Sequence, residues 1–252
     1  MSGRKEYDFI FSIGEDCSCT QALRSSNLQY ASYPLDWLFG SDFNGRIDIL
    51  VSNFNKFIEF SDLQLSYSER SISCDAYYNN SNKITFNHDF PTGIPLEESY
   101  PEVFEKYQRR INRLLTNIQN ADSILVVYIE TPNNENHTSD KDILYGYKKI
   151  QQKYPNKKID LLYIMNDMAL SPKDIKQENI SPNITKVITN YKNKSPEALP
   201  YVVDNFVLKD ILKEYKLKIP LKQRVQKRIK KLLIELIPIK SIRKKLRKRY
   251  HV

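Results

Sequence analysis

Ser123-Ile124-Leu125-Val126-Val127-Tyr128-Ile129 is an apolar, β-branched run with no polar break after its first residue. A strand with one wet face alternates apolar and polar residues. A continuous run indicates burial on both faces, which crossover helices provide for parallel sheets. Working outward, Asp140 to Lys153 reads as a helix, Ile159 to Met165 as a second buried strand and Ile184 to Ile188 as a third, with another helix expected over Glu197 to Lys216. Strands and helices in alternation predict a mainly parallel sheet.

Toward the N-terminus, Pro101 is expected in the first turn of a helix to Gln119, with Val103, Phe104, Tyr107, Ile111, Leu114, Leu115 and Ile118 on its apolar face. Residues 61–100 have strand-and-loop character, and Ile84, Phe86 and His88 alternate with Thr85 and Asn87 as in a half-buried strand. Ile47 to Phe57 has helical apolar spacing. Tyr7 to Ile13 reads as a buried strand ending at Gly14, after which Asp16 or Ser18 is placed to cap a helix through Thr20-Gln21-Ala22-Leu23-Arg24. Pro34 disfavours helix at Tyr33, so the chain turns there. The expected class is α/β: one Rossmann-like or flavodoxin-like layered domain with a mainly parallel sheet over residues 1–216, and a C-terminal amphipathic helical tail over 217–252.

With 252 residues, 40% of them hydrophobic, the chain can bury one sizeable core. The net charge of +9 is unevenly spread: residues 216–252 hold fifteen Lys and Arg against Glu235 alone, leaving 24 basic and 29 acidic residues, or −5, elsewhere. A partner for positive charge is therefore sought at the tail. Three cysteines do not make a disulfide framework, no signal peptide is visible and no apolar stretch is long enough to span a membrane. These features predict reduced thiols and a cytoplasmic protein.

In the tail, Val225, Ile229, Leu232, Leu233 and Leu236 recur at three- and four-residue steps opposite Arg224, Lys227, Arg228, Lys230 and Lys231. Pro238 breaks the pattern, and Arg243, Lys244, Lys245 and Arg247 follow around Ile242 and Leu246. A basic face backed by an aliphatic one predicts an interfacial helix on an anionic membrane. A nucleic-acid arm would interleave aromatics for stacking, and only Tyr250 is present. A plain domain helix with a solvated basic face is the remaining alternative.

The sharpest local feature is strand, then Gly14-Glu15-Asp16-Cys17, then helix. A cysteine at a helix N-terminus meets the positive end of the dipole, which favours thiolate. His88, followed by Asp89, is a candidate base, and the other histidine outside the tail is His137. Against this, a free cysteine is often simply packed, and a histidine at a strand end is often structural. Cys17-x-Cys19 lacks zinc-ribbon spacing, so no metal site is expected, and cofactor use is left open. Arg109 and Arg113 share a helix face and could grip an anion or pair with Glu102 and Glu105. Asp36 beside Trp37 could equally cap a buried turn. The Asn-rich loop from Thr131 to Ser139 follows a strand C-terminus, where α/β sheets bind ligands, or is plain surface loop.

Phe11-Ser12-Ile13-Gly14-Glu15-Asp16-Cys17, Gln21-Ala22-Leu23-Arg24 and Ser32-Tyr33-Pro34-Leu35-Asp36-Trp37 resemble the opening of a bacterial family known as putative papain-like cysteine peptidases, a domain of unknown function. The resemblance continues through Phe86-Asn87-His88-Asp89-Phe90 and the helix around Arg109 and Arg113, covering most of residues 7–165. It implies Cys17 as nucleophile, His88 as base and Asp36 or Asp89 as third member, with Leu35 where the family has Phe. The strand–helix alternation after residue 100 points instead to a Rossmann-like layer, not the two-lobed body of papain. Residues 236–247 are also similar to C-terminal extensions of bacterial glycosyltransferases and of capsule or lipopolysaccharide assembly proteins, which implies docking at the inner membrane face.

Three functions compete. One is a cysteine-dependent enzyme at the cytoplasmic membrane face, modifying a lipid-linked or nucleotide-activated polysaccharide precursor by acyl or related group transfer, with Trp37, Arg109 and Arg113 at the substrate. Another is a cysteine peptidase. The third is a non-catalytic, membrane-docked module in glycan assembly.

Overall fold

The computed structural model describes residues 4–68, 73–132, 134, 136–171, 174–192 and 203–218. Strands β2 (Phe9–Ser12), β7 (Ser123–Ile129), β8 (Lys158–Asn166) and β10 (Ile184–Thr189) pair in parallel in the order β2-β7-β8-β10. β9 (Lys176–Ser181) closes the β10 edge as an antiparallel neighbour. Residues of β7 alternate between two cores: Ile124, Val126 and Tyr128 face one, Leu125, Val127 and Ile129 the other. That is why its sequence shows no polar period. Helices α1 (Cys17–Ser25) and α5 (Asn205–Leu212) contribute Leu23 and Leu208 to one core, while α2 (Phe43–Val51), α3 (Leu96–Asn120) and α4 (Asp140–Lys153) contribute Phe43, Ile111 and Ile143 to the other.

The class is mixed α/β, but a single flavodoxin-like layer does not describe the chain. Beside the five-stranded sheet stands an antiparallel one of β3 (Leu38–Gly40), β6 (Ile84–Pro91), β5 (Cys74–Asn79) and β4 (Leu63–Tyr67), in the order β3-β6-β5-β4. β1 (Lys5–Tyr7) and β11 (Tyr215–Leu217) form a third, two-stranded parallel pair. The antiparallel sheet shares its core with α3: Phe86 and Tyr107 meet edge to face at 5.1 Å, and Phe57 lies against both.

Several element bounds differ from expectation for local reasons. α3 begins at Leu96, with Pro101 inside it and not in its first turn; the carbonyl that Pro101 leaves without a helical partner belongs to exposed Glu97, which water can satisfy. α2 starts at Phe43 because Asp42 Oδ1 accepts from Gly45 N at 2.7 Å. It ends at Val51 instead of running to Phe57, since Asn53, Phe54 and Lys56 take positive φ. Within the helix expected over residues 197–216, Asp204 caps α5, and the chain then extends into β11. The tail charges Arg224, Lys227, Arg228, Lys231, Arg243, Lys244, Lys245 and Arg247 lie outside the described residues. Among the described residues no helix is long and apolar enough to cross a membrane.

Candidate active site

β2 delivers the chain to the carboxyl edge of the parallel sheet, where Asp16, with extended backbone, caps α1 by accepting from Ser18 N at 2.7 Å. Cys17 is the first residue of that helix and its thiol is half-buried. Gly14 makes the close approach possible: a Cβ there would lie 2.2 Å from Cys19 Cβ and 2.9 Å from its sulfur. Cys19 is sealed, its thiol donating to Val127 O at 3.5 Å and pushed up to about 12 by burial.

The expectation of a thiolate at Cys17 is not met. Burial raises its pKa above the ordinary cysteine value and the Asp16 carboxylate raises it further; its own backbone N–H only partly offsets them. Desolvation and an adjacent anion outweigh the helix dipole here. Both effects favour the neutral thiol of Cys17 over its thiolate.

The turn at Tyr33-Pro34-Leu35-Asp36-Trp37 is built around Asp36, which is wholly buried. Its carboxylate accepts from Tyr33 N and Gln29 Nε2, each at 2.7 Å, and from Thr20 Oγ1 at 2.9 Å. Burial nonetheless raises its pKa to about 6. The bond to Thr20 ties this turn to α1, one helical turn beyond Cys17. Trp37 lies next to α1 as well: the Arg24 guanidinium sits 5.2 Å from its ring centroid, and both side chains share Ser32 Oγ.

A residue unremarked in the sequence fastens these pieces. Arg46, on α2, is fully buried and donates to the carbonyls of Glu15 at 2.7 Å, Leu38 at 3.0 Å, Gly40 at 2.8 Å and Leu35 at 3.3 Å. It thus holds the loop before Cys17 against the loop that carries Asp36 and Trp37. The latter continues into β3, where Leu38 pairs with Phe86 of β6. β6 also carries His88, two residues beyond Phe86.

The His88 side chain is exposed and lines a pocket of about 350 Å³ with Trp37, Asp89, Lys106 and Arg110. Asp89 is buried and turned toward α3, accepting from Lys106 Nζ at 2.6 Å and Tyr107 Oη at 2.8 Å. No hydrogen bond joins Cys17 to His88, and neither Asp36 nor Asp89 accepts from His88. Arg109 pairs with Glu105 at 3.5 Å on the exposed face of α3, and Arg113 donates to Ser32 O at 2.8 Å. A wider pocket of about 740 Å³ lies at the opposite, amino end of β2 and β7, near Asp8 and Asp122, away from all three cysteines.

A different imidazole stands at the carboxyl edge, after β7. His137 Nδ1 lies 2.8 Å from the buried Glu130 carboxylate, whose other oxygen accepts from Tyr163 Oη at 2.5 Å. The loop is joined to the Cys17 side by Thr131 N, which donates to Glu15 Oε2 at 3.0 Å. Glu130 directly follows the apolar run of β7, and a carboxylate in that position was the available signal for a buried polar network. Among the described residues no cluster of His, Cys, Asp and Glu is arranged to hold a metal.

The family model described as "Putative papain-like cysteine peptidase (DUF1796)" matches residues 8–169, from β2 to just beyond β8. The chain belongs to this family. Within the DUF1796 match lie Cys17, Asp36, Trp37, His88, Asp89, Arg109 and Arg113. A relative from Acanthamoeba polyphaga mimivirus, "Uncharacterized protein R408", is 29% identical over an alignment covering 42% of this chain and 55% of the viral protein. The chain thus spans about half the length of the curated relative it matches. That relative is viral, and neither comparison supports a bacterial source or a capsule-assembly tail. No solved structure matches the chain.

Proposed function

We propose that the protein is a thiol-dependent hydrolase of amide or related acyl bonds, with Cys17 as nucleophile and His88 as base. One observation carries the reading: Arg46 binds the carbonyl of Glu15 and those of Leu35 and Leu38, so the loop before Cys17 is fixed to the loop that leads, through β3, to the strand bearing His88. Membership of a family named for cysteine peptidases supports the reaction class.

The chemistry follows from the residues. The neutral thiol of Cys17 is favoured, so sulfur attacks the substrate carbonyl as its proton passes to the imidazole. The tetrahedral intermediate collapses, the C–N bond breaks and the amine leaves with that proton. Water then cleaves the thioester, releasing the acid and restoring the thiol. The start of α1 supplies N–H groups for the oxyanion, of which Ser18 N is already engaged by Asp16. Transfer to a lipid-linked or nucleotide-activated glycan at a membrane draws on the tail alone, and no described residue favours it over hydrolysis.

The test is turnover of a panel of fluorogenic amides, esters and thioesters by the full chain, by Cys17→Ala and by His88→Ala. Both variants should fold as the parent does and lose turnover by about a thousandfold or more. Hydrolysis that survives Cys17→Ala would sink the assignment.

A further inference from the structure

We propose that the pocket between Trp37, His88, Lys106 and Arg110 is a carboxylate-binding subsite, with Arg110 as the residue that grips the anion. The Arg110 guanidinium lies 5.1 Å from the centroid of the Tyr107 ring. It makes no hydrogen bond or ion pair with any described residue, and its buried Nη1 has no acceptor.

The surrounding cations differ. Lys106 is bound by Asp89, Arg24 by Ser32, Arg109 by Glu105 and Arg113 by the Ser32 carbonyl. Of these, Arg110 alone has no oxygen partner among the described residues. The one acid lining the pocket, Asp89, already has Lys106 on one oxygen and Tyr107 on the other. The pocket is therefore left with uncompensated positive charge on the planar Arg110 guanidinium, which lies within cation–π range of Tyr107. The guanidinium fork matches a carboxylate, which can accept two parallel N–H bonds. A pocket of about 350 Å³ with the Trp37 ring in its wall has room for one residue of a chain, with aromatic surface against its apolar part.

The role of the subsite rests on the hydrolase reading: His88 lines the same pocket, so the anion would sit beside the base and select substrates acidic near the bond cut. The binding itself does not depend on that reading. The carboxylate could belong to a chain terminus or to an Asp or Glu side chain, and the experiment separates the two.

Trp37 is the single tryptophan of the chain, so its emission reports on this pocket. Full-length protein carrying Cys17→Ala, which holds substrate without turnover, is titrated with three N-acetylated peptides of one sequence: a free C-terminal carboxylate, a C-terminal amide, and an amide with one residue replaced by Glu. A saturable change is expected with one or both acidic peptides and at least about tenfold weaker binding of the neutral amide. The free acid alone binding would assign a chain terminus, and the Glu peptide alone an acidic side chain. Arg110→Gln should weaken acidic-peptide binding about tenfold or more, and Arg110→Lys by less. Equal binding of all three peptides, no binding of any, or an unchanged affinity in Arg110→Gln would overturn the proposal. If Arg110→Gln fails to fold, the acid-against-amide comparison in the Arg110 protein decides alone. Since no turnover is read, failure here leaves the role of Cys17 standing, and failure of that role leaves this result standing.

Discussion

Arg46 Nη2 donates to the carbonyl oxygen of Glu15 at 2.7 Å from a guanidinium with no solvent exposure. Among the described residues no carboxylate hydrogen-bonds to it; its charge is solvated by backbone carbonyls from two loops. Burial pulls its pKa below the usual arginine value, while Glu15 and Asp16 oppose the shift. Removing it leaves several buried acceptors without donors. Arg46→Met should therefore destabilise the protein by about 3 kcal/mol or more in urea unfolding followed by circular dichroism. Arg46→Lys, with three donors and no fork, should fall between the two. A cost under about 0.5 kcal/mol for Arg46→Met would show that the loops hold together without it.

Asp36 makes stability depend on pH. Its folded pKa is about 6 against an ordinary 3.8, so the folded state holds the proton more tightly than the unfolded one. Stability from this group is full below about pH 4 and is lost as pH rises to about 6, on the order of 3 kcal/mol in all. Asn can keep the turn by accepting from Tyr33 N and Gln29 through its oxygen while its amide faces the Thr20 hydroxyl. The cost of Asp36→Asn should thus be greater at pH 4 than at pH 7. Unfolding free energies of both proteins across this range check the sign, and a cost that grows with pH would refute it.

Cys17 should alkylate more slowly at neutral pH than an unhindered cysteine, because burial and Asp16 both disfavour its thiolate. Its iodoacetamide rate, followed by peptide mass spectrometry to separate it from Cys74, should rise with pH through a midpoint above the ordinary thiol value. Asp16→Asn removes the neighbouring charge but keeps a capping oxygen for Ser18 N. It should speed Cys17 labelling several-fold at pH 7.5. Cys19, sealed against β7, should stay unlabelled until the protein unfolds. An Asp16→Asn rate equal to that of the parent would remove Asp16 as a cause.

The basic tail remains a proposal of its own. Each Lys or Arg near an anionic leaflet contributes about 1 kcal/mol at low salt, so the charges from Arg224 onward suffice to hold the chain at a surface. Truncation after Lys222 should release the protein from phosphatidylserine vesicles in sedimentation, and raised salt should weaken binding of the full chain. Binding that persists after truncation would move the contact into the body.

Much of the parallel sheet could be read in advance because burial on both faces removes the polar period from a strand. Ser123–Ile129 and Asp140–Lys153 were legible to the residue. β9 was not: Lys-Gln-Glu-Asn-Ile-Ser is mostly exposed at the sheet edge and carries no apolar signal. The antiparallel sheet was only partly visible, since β4 is mostly exposed and its register against β5 shifts at an irregularity.

At the candidate site, sequence alone singled out Cys17 at a helix start, the Asp36–Trp37 turn and His88 on a strand, because each is a short local pattern. It could not fix the charge state of Cys17, where local helix chemistry favours thiolate but desolvation by the surrounding fold wins. Nor could it find Arg46, Glu130 or the unpaired guanidinium of Arg110. A buried arginine is spelled like an exposed one, and only the packed structure decides whether its donors meet carbonyls, as at Arg46, or are left for a partner from outside, as at Arg110.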